Sequence, residues 1–294
     1  MVFGCDMACF GRLTAYYSEE INPETGKRPL VFDERKAHSP VPIRVPCGTC
    51  VGCLMSRRRQ WAVRCMHEKR MHSASAFVTL TYADLPAGGS LSKRDLQLFM
   101  KRLRLVRPPG LRFFACGEYG ETTLRPHYHL LLFNTDFADQ RFYKSSPAGE
   151  PLYVSAELSR LWPKGSNAVG ALTFGSASYV AGYVTKKISS PLLVGAQAPF
   201  VVMSRRPGLG ASWFEKFHPE AYKHDSAVMK GREVGLPRFY DDRFDLVDSK
   251  RLAKLKRLRR LRARAHPEDL TLRRLRVREE FEKRKASLFA REFS

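Results

Sequence analysis

The feature that most constrains the fold is a series of short strand-like segments in the middle of the chain. Residues 77–82 (FVTLTY), 111–116 (LRFFAC) and 127–133 (HYHLLLF) are rich in β-branched and aromatic residues. An amphipathic helix predicted to start at Ser92 separates the first segment from the second, and a turn predicted over 117–120 follows the second. Such closely spaced strands with interleaved helices indicate an α+β protein with a central antiparallel sheet flanked by helices.

Positive charge dominates the composition. The 294 residues carry 51 Lys and Arg against 29 Asp and Glu, a net charge of +22. A charge of this size favours a polyanionic partner, with nucleic acid first and an anionic membrane surface second. Hydrophobic residues make up 44% of the chain, which excludes wholesale disorder. No apolar stretch approaches the roughly 20 residues of a membrane-spanning helix, and the first residues lack a signal-peptide pattern, so we expect a soluble intracellular protein.

Half of the excess charge lies in the last 45 residues, where 17 Lys and Arg face 6 Asp and Glu. Residues 250–265 contain nine basic residues and no acid, with Leu at every third position from 252 to 261. This spacing predicts a cationic helix with one narrow apolar stripe, which Pro267 ends before a second helix over 270–291. The tail is either a solvated helix docked loosely on the domain or a sequence-independent contact to DNA.

The cysteines favour metal binding over disulfides, because their number is odd and no secretory signal precedes them. Residues 47–53 (CGTCVGC) place Cys47, Cys50 and Cys53 in two overlapping CxxC spacings. Since Zn²⁺ prefers four thiolate or imidazole ligands, Cys5 or Cys9 would complete a structural site, with Cys5 taken as the fourth ligand. The alternative is a glycine-rich turn that buries free thiols.

Two histidines in the third strand form a candidate metal site. Because side chains alternate along a strand, His127 and His129 point to one face. A hairpin through 117–126 would return Glu118 toward them, with Glu121 as the competitor for this role. Two imidazoles and one carboxylate suit a divalent cation that also binds a substrate oxygen. An HxH pair of this kind is more often structural when it stands alone.

Two tyrosines and a lysine share one face of a predicted helix. A strand is predicted over 171–175, followed by a helix through 176–187. At about 100° per residue, Tyr179 and Tyr183 lie roughly 40° apart, and Lys186 falls between them. The alternative is a tyrosine pair that packs the helix onto the sheet, with lysines at the surface.

As an ordered set, the motifs resemble those of HUH endonucleases that initiate rolling-circle replication, in particular the initiators of gokushovirus-type microviruses, which are single-stranded DNA bacteriophages. The resemblance covers roughly residues 45–240. The segments that carry it are 77–82 (FVTLTY), 125–129 (RPHYH), 179–187 (YVAGYVTKK), 47–53 (CGTCVGC), 204–210 (SRRPGLG) and 236–240 (LPRFY). It departs from many such initiators in its lysines, which follow the second tyrosine.

The resemblance implies a site-specific DNA endonuclease of the nicking-joining type. In such enzymes His127, His129 and Glu118 would bind Mg²⁺ or Mn²⁺. Tyr179 and Tyr183 would attack DNA with help from Lys186, leaving a 5′-phosphotyrosine link and a free 3′-OH. The residues expected to contact DNA are Arg57, Arg58, Arg125, Lys187, Arg205 and Arg206.

The expected partners are single-stranded or origin DNA and, since no P-loop is present, a helicase and a DNA polymerase of the bacterial host. The expected location is therefore the host cytoplasm, with no membrane partner. The predicted parts are a Cys-containing N-terminal segment and first helix (1–70), a nuclease core (71–240) and a basic helical tail (241–294). The alternative function is a non-enzymatic, zinc-containing nucleic-acid-binding protein whose tyrosines stack on bases.

Overall fold

The computed structural model describes residues 9–120, 123–146, 149–183, 195–265 and 267–290, and the statements below refer to these ranges. The strands, in chain order, are β1 (Leu13–Tyr17), β2 (Leu30–Val31), β3 (Ile43–Val45), β4 (Ser75–Thr81), β5 (Arg112–Tyr119), β6 (Pro126–Phe133), β7 (Arg141–Ser145), β8 (Pro151–Val154), β9 (Asn167–Gly170), β10 (Phe200–Met203), β11 (Ala227–Met229) and β12 (Arg232–Val234). The α-helices of the same ranges are α1 (Val51–Arg70), α2 (Lys93–Leu105), α3 (Ala156–Leu161), α4 (Phe174–Gly182), α5 (Ala211–His224), α6 (Arg238–Val247), α7 (Ser249–Ala263) and α8 (Leu272–Ala290).

A seven-stranded sheet forms the centre of the protein. Its strand order is β10-β5-β6-β4-β9-β8-β7, and every neighbouring pair is antiparallel. The strands β1, β2 and β3 form a separate small sheet near the N-terminus, and β11 pairs with β12. The predicted α+β class with a central antiparallel sheet, flanking helices and a helical C-terminal region is confirmed.

Helices cover both faces of the sheet, and side-chain alternation decides which residues meet which helix. On one face, Val78 of β4 and Leu130 of β6 pack with Phe99 of α2. On the other face, Leu131 and Phe133 of β6 pack with residues of α1 and α4, namely Ala62, Cys65, Ala177 and Val180. The odd-numbered residues of β6 therefore face α1 and α4, and this side carries the two histidines.

Two local predictions were wrong. Residues 117–120 were predicted as a turn, but β5 continues to Tyr119 because Glu118 and Tyr119 pair with the start of β6. The strand predicted over 171–175 is instead the approach to α4. There Thr173 and Ser176 form a capping box, in which each side chain accepts a hydrogen bond from the other residue's backbone N–H.

The C-terminal helix α7 is docked on the body of the protein. Leu252 is buried in a cluster with Trp213, Tyr222 and Tyr240. The Arg259 guanidinium also binds two carboxylates, at 2.6 Å from Asp241 Oδ2 and at hydrogen-bond distance from Asp225. The apolar stripe predicted for this helix thus has a buried end, whereas Leu258 and Leu261 are exposed. In the described part of the chain, no helix combines the length and the apolar character needed to cross a membrane.

Candidate active site and metal-binding clusters

The hairpin of β5 and β6 brings one carboxylate and two imidazoles together. Its register pairs Glu118 with His127 and Cys116 with His129. As a result, Glu118 Oε1 lies 2.9 Å from His127 Nε2 and 2.8 Å from His129 Nε2. The three ligand atoms all lie within 4.8 Å of one another, close enough to bind one ion.

The second nitrogen of each imidazole is held by a neighbour. His127 Nδ1 donates to the Arg125 carbonyl over 3.1 Å, and His129 Nδ1 lies 2.9 Å from the Thr79 hydroxyl on β4. A carbonyl can only accept, so this contact places the proton of a neutral His127 on Nδ1 and leaves the Nε2 lone pair facing Glu118. Two lone pairs and a carboxylate oxygen that converge in this way fit a cation.

The electrostatics of the cluster also favour positive charge. Only 2% of the Glu118 side chain is exposed, compared with 18% for His127. Burial raises the pKa of Glu118, but hydrogen bonds from His127 and His129 outweigh it and bring the pKa to about 2. Burial lowers the pKa of His129. The cluster therefore combines an ionised carboxylate with a largely buried imidazole that resists protonation.

Helix α4 places two tyrosines at the edge of this cluster. The Tyr179 hydroxyl lies 3.4 Å from Glu118 Oε1 and 3.5 Å from His129 Nε2. One helical turn further along, the Tyr183 hydroxyl donates to the Tyr179 hydroxyl over 2.8 Å. The Tyr179 ring meets the His129 ring edge-on at 5.1 Å, and the Tyr183 ring stacks on it at 6.1 Å. Both phenol groups thus converge on the cluster.

Both phenols are held in their protonated form. The pKa of Tyr179 is raised, first by burial and then by the negative charge of Glu118. The pKa of Tyr183 is raised by burial, by Tyr179 and by Glu118. Because a phenolate is a far better nucleophile than a phenol, activity at these oxygens requires added positive charge.

Arg58 of helix α1 supplies positive charge on the far side of α4. Its Nε donates to the Ser178 carbonyl over 2.6 Å and to the Ser178 hydroxyl over 2.9 Å. A Cβ atom built on Gly182 would lie only 3.6 Å from the guanidinium carbon of Arg58, so the arginine lies against the turn between the two tyrosines. Burial lowers the pKa of Arg58, and the two tyrosines oppose this change. Arg58 and the phenols are therefore electrostatically linked.

The remaining predicted DNA contacts lie at different distances from this cluster. Arg125 is exposed, yet its guanidinium donates to the carbonyls of Tyr82 and Ala83 and so fastens the end of β4. Arg57, Arg205 and Arg206 are exposed. The predictions for Lys186, Lys187, Glu121 and Cys5 lie outside the described residues.

A second cluster consists of Cys9, Cys47, Cys50 and Cys53, whose sulfur atoms all lie within 4.8 Å of one another. Among the described residues, Cys9 therefore takes the position for which the sequence left Cys5 and Cys9 as candidates. Cys65 and Cys116 are buried elsewhere in the core.

Sequence reasoning missed two residues of the tyrosine site. Thr79 orients His129, and Ser178 binds Arg58. The signal for Thr79 was present, since the period of two places it on the same face of β4 as Phe77, which stacks on the His129 ring. Ser178 carries no comparable signal, because its partner is 120 residues away.

Comparisons with known proteins agree on one family. A family of replication-associated proteins of the ORF2 type matches residues 75–188. The chain is 33% identical to the replication-associated protein VP4 of Bdellovibrio phage phiMH2K, over 67% of this chain and 66% of the relative. It is 31% identical to the replication-associated protein ORF2 of Spiroplasma virus 4, over 68% of each.

A third relative, the replication-associated protein ORF4 of Chlamydia phage 1, is 28% identical over 67% of this chain and 53% of its own length. The chain thus spans about two thirds of the first two relatives and about half of the third. No solved structure matches significantly. The region matched by the family contains the hairpin histidines, Glu118 and both tyrosines.

Proposed function

Because this chain belongs to the family of viral replication-associated proteins that includes ORF2 of Spiroplasma virus 4, we propose that it initiates rolling-circle replication by nicking DNA. It would cut a specific origin on single-stranded or supercoiled viral DNA and later rejoin the strand. The observation that carries this proposal is the Tyr179 hydroxyl at 3.4 Å from Glu118, beside a carboxylate and two imidazoles that fit one cation.

Glu118, His127 and His129 are the residues that would hold Mg²⁺ or Mn²⁺, which when bound polarises the scissile phosphate. The chain prepares this site in advance. Thr79 and the Arg125 carbonyl fix the imidazole rings, and the sheet fixes the carboxylate. Three protein ligands leave coordination positions for substrate oxygens.

The nucleophile is a tyrosine oxygen. Its attack forms a bond between the phenolic oxygen and phosphorus, and the bond from phosphorus to the 3′ oxygen breaks. The phenolic proton is lost, the departing 3′ oxygen gains a proton, and the DNA stays attached through a 5′-phosphotyrosine. Phosphorus bonds are exchanged rather than hydrolysed, so rejoining needs no ATP.

A pair of tyrosines suits a reaction that must occur twice. The hydroxyls of Tyr179 and Tyr183 are 2.8 Å apart, so either can reach the same phosphate position. One can retain the 5′ end while the other cuts the regenerated origin. Arg58, and in this proposal Lys186, supply the positive charge that stabilises the phenolate.

DNA approaches over a basic surface in this proposal. Arg57, Arg58, Arg125, Lys187, Arg205 and Arg206 are the side chains assigned to phosphates. Unwinding and synthesis fall to a helicase and a DNA polymerase of the bacterial host, and the protein acts in the host cytoplasm. These assignments follow from the proposed reaction.

The test is covalent adduct formation with single-stranded origin DNA. We expect an SDS-resistant adduct that needs Mg²⁺ or Mn²⁺ and that disappears in the double variant Tyr179→Phe/Tyr183→Phe. Tyr143→Phe is the matched control, because Tyr143 is an exposed tyrosine on β7. An adduct in the double variant would refute the nucleophile assignment. DNA binding without any cation-dependent cleavage would favour the non-enzymatic alternative, in which bases stack on the tyrosines.

A further inference from the structure

The four-cysteine cluster has the dimensions of a tetrahedral metal site. The thiols come from three parts of the chain, with Cys9 before β1, Cys47 after β3, and Cys50 and Cys53 at the start of α1. With metal–sulfur bonds of about 2.3 Å, tetrahedral geometry separates the sulfur atoms by about 3.8 Å. The Cys9 and Cys50 sulfur atoms are 3.9 Å apart, well beyond the roughly 2.05 Å of a disulfide.

Backbone amides surround the sulfur atoms as they do in metal-bound thiolates. The amide of Cys47 donates to Cys9 Sγ over 3.2 Å, and that of Cys50 donates to Cys47 Sγ over 3.3 Å. The Phe10 amide donates to Cys50 Sγ over 3.4 Å. Gly48 makes the tight turn between two of the ligands feasible, since its φ of +78° is strained for other residues. Such hydrogen bonds orient ligands and stabilise their negative charge.

The position of the cluster also suits a metal bound by four thiolates. Cys50 is the N-cap residue of α1, and its side chain makes no capping hydrogen bond to the helix. A divalent cation with four thiolates carries a formal negative charge. The start of a helix favours negative charge, because its first N–H groups are unpaired and its dipole is positive there.

We propose that Cys9, Cys47, Cys50 and Cys53 bind one structural Zn²⁺ and that this ion fixes the start of helix α1. Four protein ligands close the coordination sphere, which is typical of a structural rather than a catalytic zinc. The ion joins the segment of the small N-terminal sheet to the first turn of α1.

The same helix reaches the tyrosine site. Arg58 lies five residues after Cys53 on α1 and binds Ser178 of the tyrosine helix. Further along α1, Arg64 Nε donates to the Leu209 carbonyl over 3.0 Å. Zn²⁺ would therefore act as a positioning element, which sets where Arg58 enters against α4.

The experiment measures metal content on the full chain, so it does not depend on nicking. After dialysis against EDTA, elemental analysis should find one Zn²⁺ per chain in the wild type and in Cys5→Ser. It should find less than one tenth of that in Cys9→Ser. Titration of the wild type with a mercurial reagent should release one Zn²⁺ as four thiols react, which keeps the test valid if Cys9→Ser does not fold.

Several results would overturn the proposal. They are a zinc-free wild type with free thiols or disulfides, bound iron in place of zinc, or loss of zinc in Cys5→Ser but not in Cys9→Ser. For the positioning role, zinc removal should speed hydrogen exchange in the first turns of α1 and leave α2 unchanged. Unchanged exchange in α1 would refute that role even if zinc is present.

Discussion

The two clusters of metal-ligating side chains differ in how the chain assembles them. Glu118, His127 and His129 come from one hairpin, so the register of two adjacent strands is enough to bring them together. The four cysteines come from segments separated by up to 44 positions and meet only where the N-terminal sheet approaches helix α1. One cluster is a property of a hairpin, and the other is a property of the tertiary fold.

The clusters also differ in ligand chemistry and in access. The hairpin cluster offers three nitrogen and oxygen ligands, with two phenols beside them, which suits a cation that also binds substrate. The cysteine cluster offers four sulfur ligands and no place for a substrate. The comparison indicates that one metal serves the reaction and the other holds the helix that carries Arg58.

The largest expected effect is that of Glu118→Gln, which keeps the shape of the side chain and removes its charge. We expect adduct formation to fall at least about 1,000-fold, because the cation loses its only anionic ligand. Zinc content should stay at one per chain. Both quantities are measured on the same preparation.

Glu121→Gln is the matched control, since the sequence left Glu121 as the competitor. Normal cleavage by Glu118→Gln, with loss in Glu121→Gln, would move the metal site. Loss of zinc in Glu118→Gln would show that the two clusters are not independent.

An intermediate effect is expected for Arg58→Gln. Removing the guanidinium raises the pKa of the tyrosines further, so the cleavage rate at saturating DNA should fall about 100-fold and its pH profile should move to higher pH. Arg58→Lys should recover part of the rate, because it keeps the charge without the planar fork.

Arg57→Gln separates this role from DNA binding, because Arg57 is the exposed neighbour on the same helix. It should weaken DNA affinity and leave the rate at saturation unchanged. The electrostatic role of Arg58 is wrong if Arg58→Gln behaves in the same way.

The smallest effect on chemistry is expected from exposed arginines of the C-terminal region. Arg257, Arg262 and Arg264 are exposed, unlike Arg259 with its two carboxylate partners. Changing these three to Gln should reduce the salt dependence of single-strand binding by a slope of up to about 2, and cleavage at low salt should persist. An unchanged salt dependence would exclude a DNA contact by α7.

Much of the hairpin cluster was accessible from sequence, because strands have a period of two. That period placed His127 and His129 on one face, and the short loop before them returned Glu118 to their side. The same reasoning was wrong over 171–175, where β-branched and aromatic residues precede a helix start set by the capping box of Thr173 and Ser176. Local propensity did not reveal that the strand had already ended at Gly170.

By itself, the sequence determined the α+β class, the face of the histidines and the helical spacing of the two tyrosines, since all of these depend on residues close together in the chain. Only the tertiary structure brought Cys9 to the other three thiols and Arg58 to Ser178, which lies 120 residues away. It also decided that Arg259 is an internal ion pair rather than a free cation of the tail. Contacts of this kind depend on how helices pack on the sheet, and no short-range periodicity encodes them.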